Sequence, residues 1–114
     1  MLLSDFLTKL KTQPETIEFT DTMAVIEANY AFSEIAFTNG QQSNAAGENS
    51  GSCKIFSFAQ LNGLTEQQTL ACFGIYYRND VLGNPDASDH QNIRQFMNNG
   101  WSGIDFDSAP LTSK

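Results

Sequence analysis

The stretch FTNGQQSNAAGENSGSCKIFSFA, Phe37 to Ala59, decides how this chain is to be read. It opens as an aromatic, β-prone run, crosses a long segment of polar and very small residues, and closes in Gly51-Ser52-Cys53-Lys54, which has the look of a phosphate loop. A Walker A loop needs G-x-x-x-x-G-K-[ST], so that the lysine reaches the phosphates and the hydroxyl reaches magnesium. Here three residues separate Gly47 from Gly51, Lys54 comes two places late, and Ile55 stands where the hydroxyl belongs. Nucleotide hydrolysis is therefore not indicated. Asn39-Gly40 instead suggests a tight type I′ hairpin, with one strand ending at Thr38 and a return through Gln41 to Asn44. Ser52 can cap a helix over Cys53 to Leu61 that stops at Asn62-Gly63. The alternation of Cys53, Ile55, Ser57 and Ala59 with Lys54, Phe56 and Phe58 leaves a strand open, but the terminal signals favour helix.

Outward from this stretch the helical signals are regular. Leu3, Phe6, Leu7 and Leu10 trace one face behind Ser4 as a cap, with Lys9 and Lys11 at the end the helix dipole favours. Pro14 suits a first turn, and Phe19, Met23, Ile26 and Tyr30 continue a second core stripe. Thr65-Glu66-Gln67-Gln68 is a capping box opening a fourth helix along Leu70, Phe73, Tyr77 and Val81, stopped by Gly83 and Pro85. Ser88-Asp89-His90-Gln91 reads as a second box, before a helix bearing Ile93, Phe96 and Met97 and ending at Asn99-Gly100. The tail from Trp101 alternates as a short strand. The expected fold is one α+β domain over residues 1–114, mostly helical with about five helices, and a small antiparallel sheet from segments near 31–44 and 102–112.

Composition narrows the function. The 114 residues carry 6 basic and 13 acidic side chains, a net charge of -7, which repels nucleic acid and anionic membrane surfaces. No apolar run reaches the roughly 18 residues of a membrane span, and the N-terminus lacks a signal-peptide core, so a cytoplasmic location is expected. Cys53 and Cys72 lie in apolar runs and read as buried thiols.

Metal and cofactor signals are weak. Asn84, Asp86 and Ser88 imitate the start of a calcium loop whose glycine and final acid are missing. Asp105 and Asp107 could share a strand face and hold a cation loosely. Zinc would need Cys53, Cys72, His90 and a carboxylate without a C-x-x-C anchor. No metal and no cofactor is expected.

His90 is the single histidine. A hydrolase could be drawn from His90, Cys53 and Asp89, or from His90 and another carboxylate. Against Asp89, sequence neighbours on a helix do not face one another. The glycines before Ser52 could leave backbone N–H groups for a small anion, unless Glu48 takes them. Arg78 and Arg94, if they line a cleft, are natural partners for an anionic ligand. The reading preferred here is a non-enzymatic binding module for a small polar ligand or a protein partner, with Asn39, Asn44, Asn49, Ser52, Arg78, Asp80, His90, Arg94 and Trp101 as candidate contacts.

Four ordered phrases add a resemblance. The segment from FTNG to NAAGENSGSCKIFSFA, then TLACFGIYYRNDVL, DHQNIRQFM and GWSGIDF, is similar to the HopJ type III effector protein family from about Phe19 to Leu111. The resemblance implies a link to type III secretion and to action on a host by protein interaction. It brings no catalytic residues with it. Effectors of this kind commonly begin with a flexible, Ser-rich leader, whereas this sequence enters an amphipathic helix by Ser4, so a resident cytoplasmic role is the expectation beside export.

Overall fold

The computed structural model describes residues 1–114. The fold has five α-helices, α1 Leu3–Thr12, α2 Phe19–Asn29, α3 Ser50–Leu61, α4 Glu66–Ala71 and α5 Gln91–Asn99, and two small antiparallel sheets. The first sheet pairs β1, Tyr30–Phe32, with β5, Leu111–Ser113. The second has the order β3-β2-β4, with β2 at Phe37–Asn39, β3 at Gln42–Asn44 and β4 at Ile104–Phe106. The single sheet expected from the sequence is thus two, because residues 33–36 break the run between β1 and β2.

Helix α3 is the centre of the molecule. Cys53, Ile55, Phe56, Ser57, Phe58 and Ala59 are all buried, on every side of the helix, as a central helix must be. Burial all round also explains the strand-like alternation, since both alternating sets face protein. The Phe56 ring meets Phe96 at 4.9 Å, Phe73 at 5.5 Å, Phe37 at 6.3 Å and Trp101 at 6.5 Å between centroids. One side chain therefore joins α3 to β2, to the chain after α4, and to α5 with the turn that follows it.

Several local expectations need correction. Leu2, not Ser4, is the residue before α1, and Ser4 lies inside the helix, where its carbonyl accepts from the Thr8 hydroxyl. Asn39 pairs with Gln42, so Gly40 and Gln41 form the hairpin loop, and only Gly40 has positive φ. A type I′ turn needs two such residues, so the Asn-Gly reading was displaced by one position. Asn49, with φ 52°, precedes α3, and Ser52 sits in its first turn. The Thr65 capping box forms in full, with Gln68 N–H donating to the Thr65 hydroxyl and Thr65 N–H to the Gln68 side chain.

The fourth helix is not continuous through Val81. Gly74 takes φ +62°, and a Cβ there would lie 2.7 Å from the backbone nitrogen of Phe19. The chain closes onto α2 at that point and restarts as a π-helix over Tyr76–Val81. The second capping box is also absent. His90 adopts φ 51° and α5 begins at Gln91, whose side chain donates back to the Ser88 carbonyl. The tail enters its strand late, after a 3₁₀ turn over Gly100–Gly103, which leaves Asp107 beyond β4.

Candidate functional site

The polar part of the opening stretch folds into a buried amide network. Asn39 Nδ2 donates to the Asn92 backbone carbonyl at 2.7 Å and to Asn92 Oδ1 at 3.1 Å. Asn44 Nδ2 donates to the same Oδ1 at 3.2 Å, and Asn92 Nδ2 donates to Asn44 Oδ1 at 3.0 Å. Asn49 Nδ2 completes the set by donating to Asn44 Oδ1 at 2.7 Å. Asn39, Asn44 and Asn92 are buried. Such groups are costly to bury singly, and here their amide nitrogens and the Asn44 and Asn92 oxygens satisfy one another, while Asn39 Oδ1 is buried without a partner. Asn39 and Asn44 thus point into the protein and line none of its cavities. What the network does is lock the β2–β3 hairpin and Asn49 onto the first turn of α5.

That locking builds a cavity of about 420 Å³. Asn49, Gly51 and Ser52 reach it from the start of α3, Ser88 and His90 from the turn before α5, and Gln91 and Asn92 from α5 itself. Phe19, Phe73 and Tyr76 supply ring faces. The two non-glycine residues with positive φ in the chain, Asn49 and His90, both line it. Left-handed backbone costs such residues roughly 1–2 kcal/mol each, and such strain clusters at functional sites. Gly51 is needed for packing, since a Cβ there would come within 2.9 Å of the Phe19 ring.

His90 is fixed from two sides. Its Nε2 lies 3.0 Å from Asp80 Oδ2, and its ring sits 5.4 Å from the Tyr76 ring, tilted by 36°. With Asp80 accepting from Nε2–H, Nδ1 remains as an acceptor in the neutral ring and a donor in the imidazolium. Because His90 is not helical, neighbouring Asp89 comes nearer than a helix would allow, with Oδ2 at 3.8 Å. Asp89 is nonetheless engaged elsewhere: Arg94 Nη2 donates to its Oδ1 at 2.7 Å, and that bond is the main reason its carboxyl is held below the usual range.

The remaining candidates lie apart. Arg94 also donates to the carbonyls of Asp89, Asn84 and Pro85 and so ties down the loop before α5. Trp101 packs edge-on against Phe96 at 4.9 Å, as part of the core wall. Arg78 lines a different cleft, with Lys11. Glu48 folds back onto the Ala45 N–H at 2.8 Å and is not among the residues lining the cavity. No group of three or more His, Cys, Asp or Glu side chains is arranged to hold a metal ion.

The thiols are not at the cavity. Cys53 is 1% exposed, with Sγ 3.8 Å from the Ile35 carbonyl, and Cys72 is fully buried. Burial pushes Cys53 from 9.0 to about 11 and Cys72 from 9.0 to about 12. Thiolate is the nucleophilic form, so both are inert at neutral pH. No hydroxyl or thiol hydrogen-bonds His90, whose Nε2 meets the carboxylates of Asp80 and Asp89. Native protein should therefore resist a thiol reagent such as DTNB at pH 7.5 and react at both cysteines once unfolded. Labelling of native Cys53 within minutes would contradict this burial. Since both folded values lie above 9.0, the thiols' contribution to stability is complete below about pH 9 and is lost as pH climbs towards about 11 and 12.

Sequence reasoning missed most of the cavity lining, Phe19, Tyr76, Ser88, Gln91 and Asn92 among it. Phe19 looked like core, and the dipeptide Tyr76-Tyr77 gave no sign that a π-helix would present its members to different clefts.

These features define a small α+β domain with one polar, ring-walled cavity between two helix starts. The chain belongs to the HopJ type III effector protein family, whose model matches residues 3–111. It is also similar to a crystal structure described as that of unknown function protein VPA0580, with 58% identity, a TM-score of 0.98, and coverage of 100% of this chain and 95% of that one. No curated protein matches the chain. No helix is long and apolar enough to cross a membrane.

Proposed function

We propose that the protein is a binding module whose cavity between the starts of α3 and α5 takes a small polar ligand. The observation that carries this reading is the convergence of Asn49, Ser52, His90 and Gln91 with the rings of Phe19 and Tyr76 on one concavity of about 420 Å³. Pockets for small molecules combine apolar walls with a few converging polar groups in this way. The helix starts favour an acceptor oxygen such as a carboxylate or carbonyl, and the rings favour a flat body beside it. Catalysis is the weaker reading, because the His90–Asp80 pair is an orienting arrangement with no hydroxyl or thiol hydrogen-bonded to the imidazole. The family description is compatible with export through type III secretion, in which case the same cavity would act in the recipient cell.

The test is a calorimetric screen of acetate, glycine, benzoate and nicotinamide against wild type and His90→Gly. Glycine keeps the backbone at φ 51° without strain, so this variant should stay within about 1 kcal/mol of wild-type stability while losing the imidazole. Binding by at least one probe, weakened about tenfold or more in the variant, is expected. Equal affinity for wild type and a folded His90→Gly protein would sink the reading. Cys53→Ala should bind as wild type does.

A further inference from the structure

We propose a second binding site, for a small organic oxyanion, in the cleft between α1, α4 and the π-helix, held by Arg78 and Lys11. This cleft encloses about 290 Å³, and its lining includes Leu10, Lys11, Gln68, Ala71, Tyr77 and Arg78. Arg78 is partly buried beside it, and its Nη1, like Asn39 Oδ1 in the amide network, is a buried polar atom with no hydrogen-bond partner in the protein. The Arg78 guanidinium makes no hydrogen bond or ion pair within the protein, and a carboxylate or phosphate on its open side is the group it would take, because the planar fork matches two such oxygens.

The charge pattern makes the orphan more telling. Thirteen acidic residues face six basic ones in this chain. Lys54 pairs with Glu27, and Arg94 pairs with Asp89. No carboxylate lies within 4.0 Å of either Arg78 or Lys11, although Glu15 lines the same cleft. Arg94 shows what a structural arginine looks like in this fold, with Nε, Nη1 and Nη2 all donating to nearby oxygens. Arg78 is not used that way. It stands on the π-helix, which gives Tyr76 to the first cavity and Tyr77 and Arg78 to this one. π-turns of this kind recur at functional sites. Leu10, Ala71 and Tyr77 offer apolar contact for the carbon body of the ligand, so an oxyanion on an organic frame fits better than a bare ion.

Amide chemical shifts followed during titration with benzoate, phenyl phosphate and inorganic phosphate decide the matter. The expected result is saturable movement of Lys11, Gln68, Ala71 and Arg78 with benzoate or phenyl phosphate, more weakly with inorganic phosphate. The tighter of the two aromatic probes identifies the headgroup as carboxylate or phosphate. Arg78→Gln and the surface change Lys11→Gln should each weaken binding about tenfold or more, Arg78→Lys should recover part of it, and His90→Gly should leave it unchanged. No saturable shift at these residues in wild type, or undiminished affinity in both glutamine variants, overturns the proposal. A shift abolished by His90→Gly would assign the probe to the first cavity and overturn it equally.

Discussion

Phe56→Ala should cost about 3–5 kcal/mol, the range for removing a fully buried ring. Phe56 is 0% exposed and touches rings from four separate segments, so the neighbours cannot collapse from one side to fill the void. Against a total of about 5–15 kcal/mol for a domain of this kind, the loss is a large share of all stability. Urea denaturation followed by far-UV circular dichroism measures it, with an expected fall in midpoint and little change in slope. A loss below about 1 kcal/mol would mean that Phe56 is not the junction of the core. Phe56→Leu, which retains much of the volume, should lie between the two.

Asn92→Leu tests the amide network with volume nearly conserved, and should cost about 2–3 kcal/mol. The substitution removes the acceptor shared by Asn39 and Asn44 and the donor to Asn44 Oδ1, while the backbone carbonyl of residue 92 still receives Asn39. Buried amides are then left short of partners, which is worse than having no polar groups there at all. Asn49 donates to the same Asn44 oxygen, so hydrogen exchange should also quicken at the first turn of α3. A stability unchanged within about 0.5 kcal/mol would show that packing alone holds the hairpin on α5.

What was legible in the sequence was local. The Thr65 box involves residues three apart and formed as read. The stripes through Phe6 and Leu10, and through Ile26, buried as their spacing required. The α+β class and the preponderance of helix followed from such patterns, and the family from the resemblance of four ordered phrases.

What was misread depended on distant partners. Asn39 carries a strong turn signal with Gly40, yet Asn92, 53 residues away, draws its side chain into the core and shifts the loop by one residue. Gly74 lies within a good helical stripe, and the break there comes from the backbone of Phe19 closing against it. His90 satisfies a capping pattern, but Asp80 holds its ring and Arg94 holds the preceding loop, so the residue turns left-handed before α5 can start. Of the candidate ligand contacts, Asn49, Ser52 and His90 reach the cavity and Asp80 supports it through His90. Asn39, Asn44, Arg94 and Trp101 serve the fold that shapes it.

Amide shift mapping with acetate, glycine, benzoate and nicotinamide shows whether this cavity is where the protein meets a ligand. For at least one probe, saturable shifts gathered on Asn49 to Ser52 and on His90 to Ile93 are expected, lost in His90→Gly. Probes that leave those residues unmoved, or that move them equally when the imidazole is gone, would contradict a ligand site here.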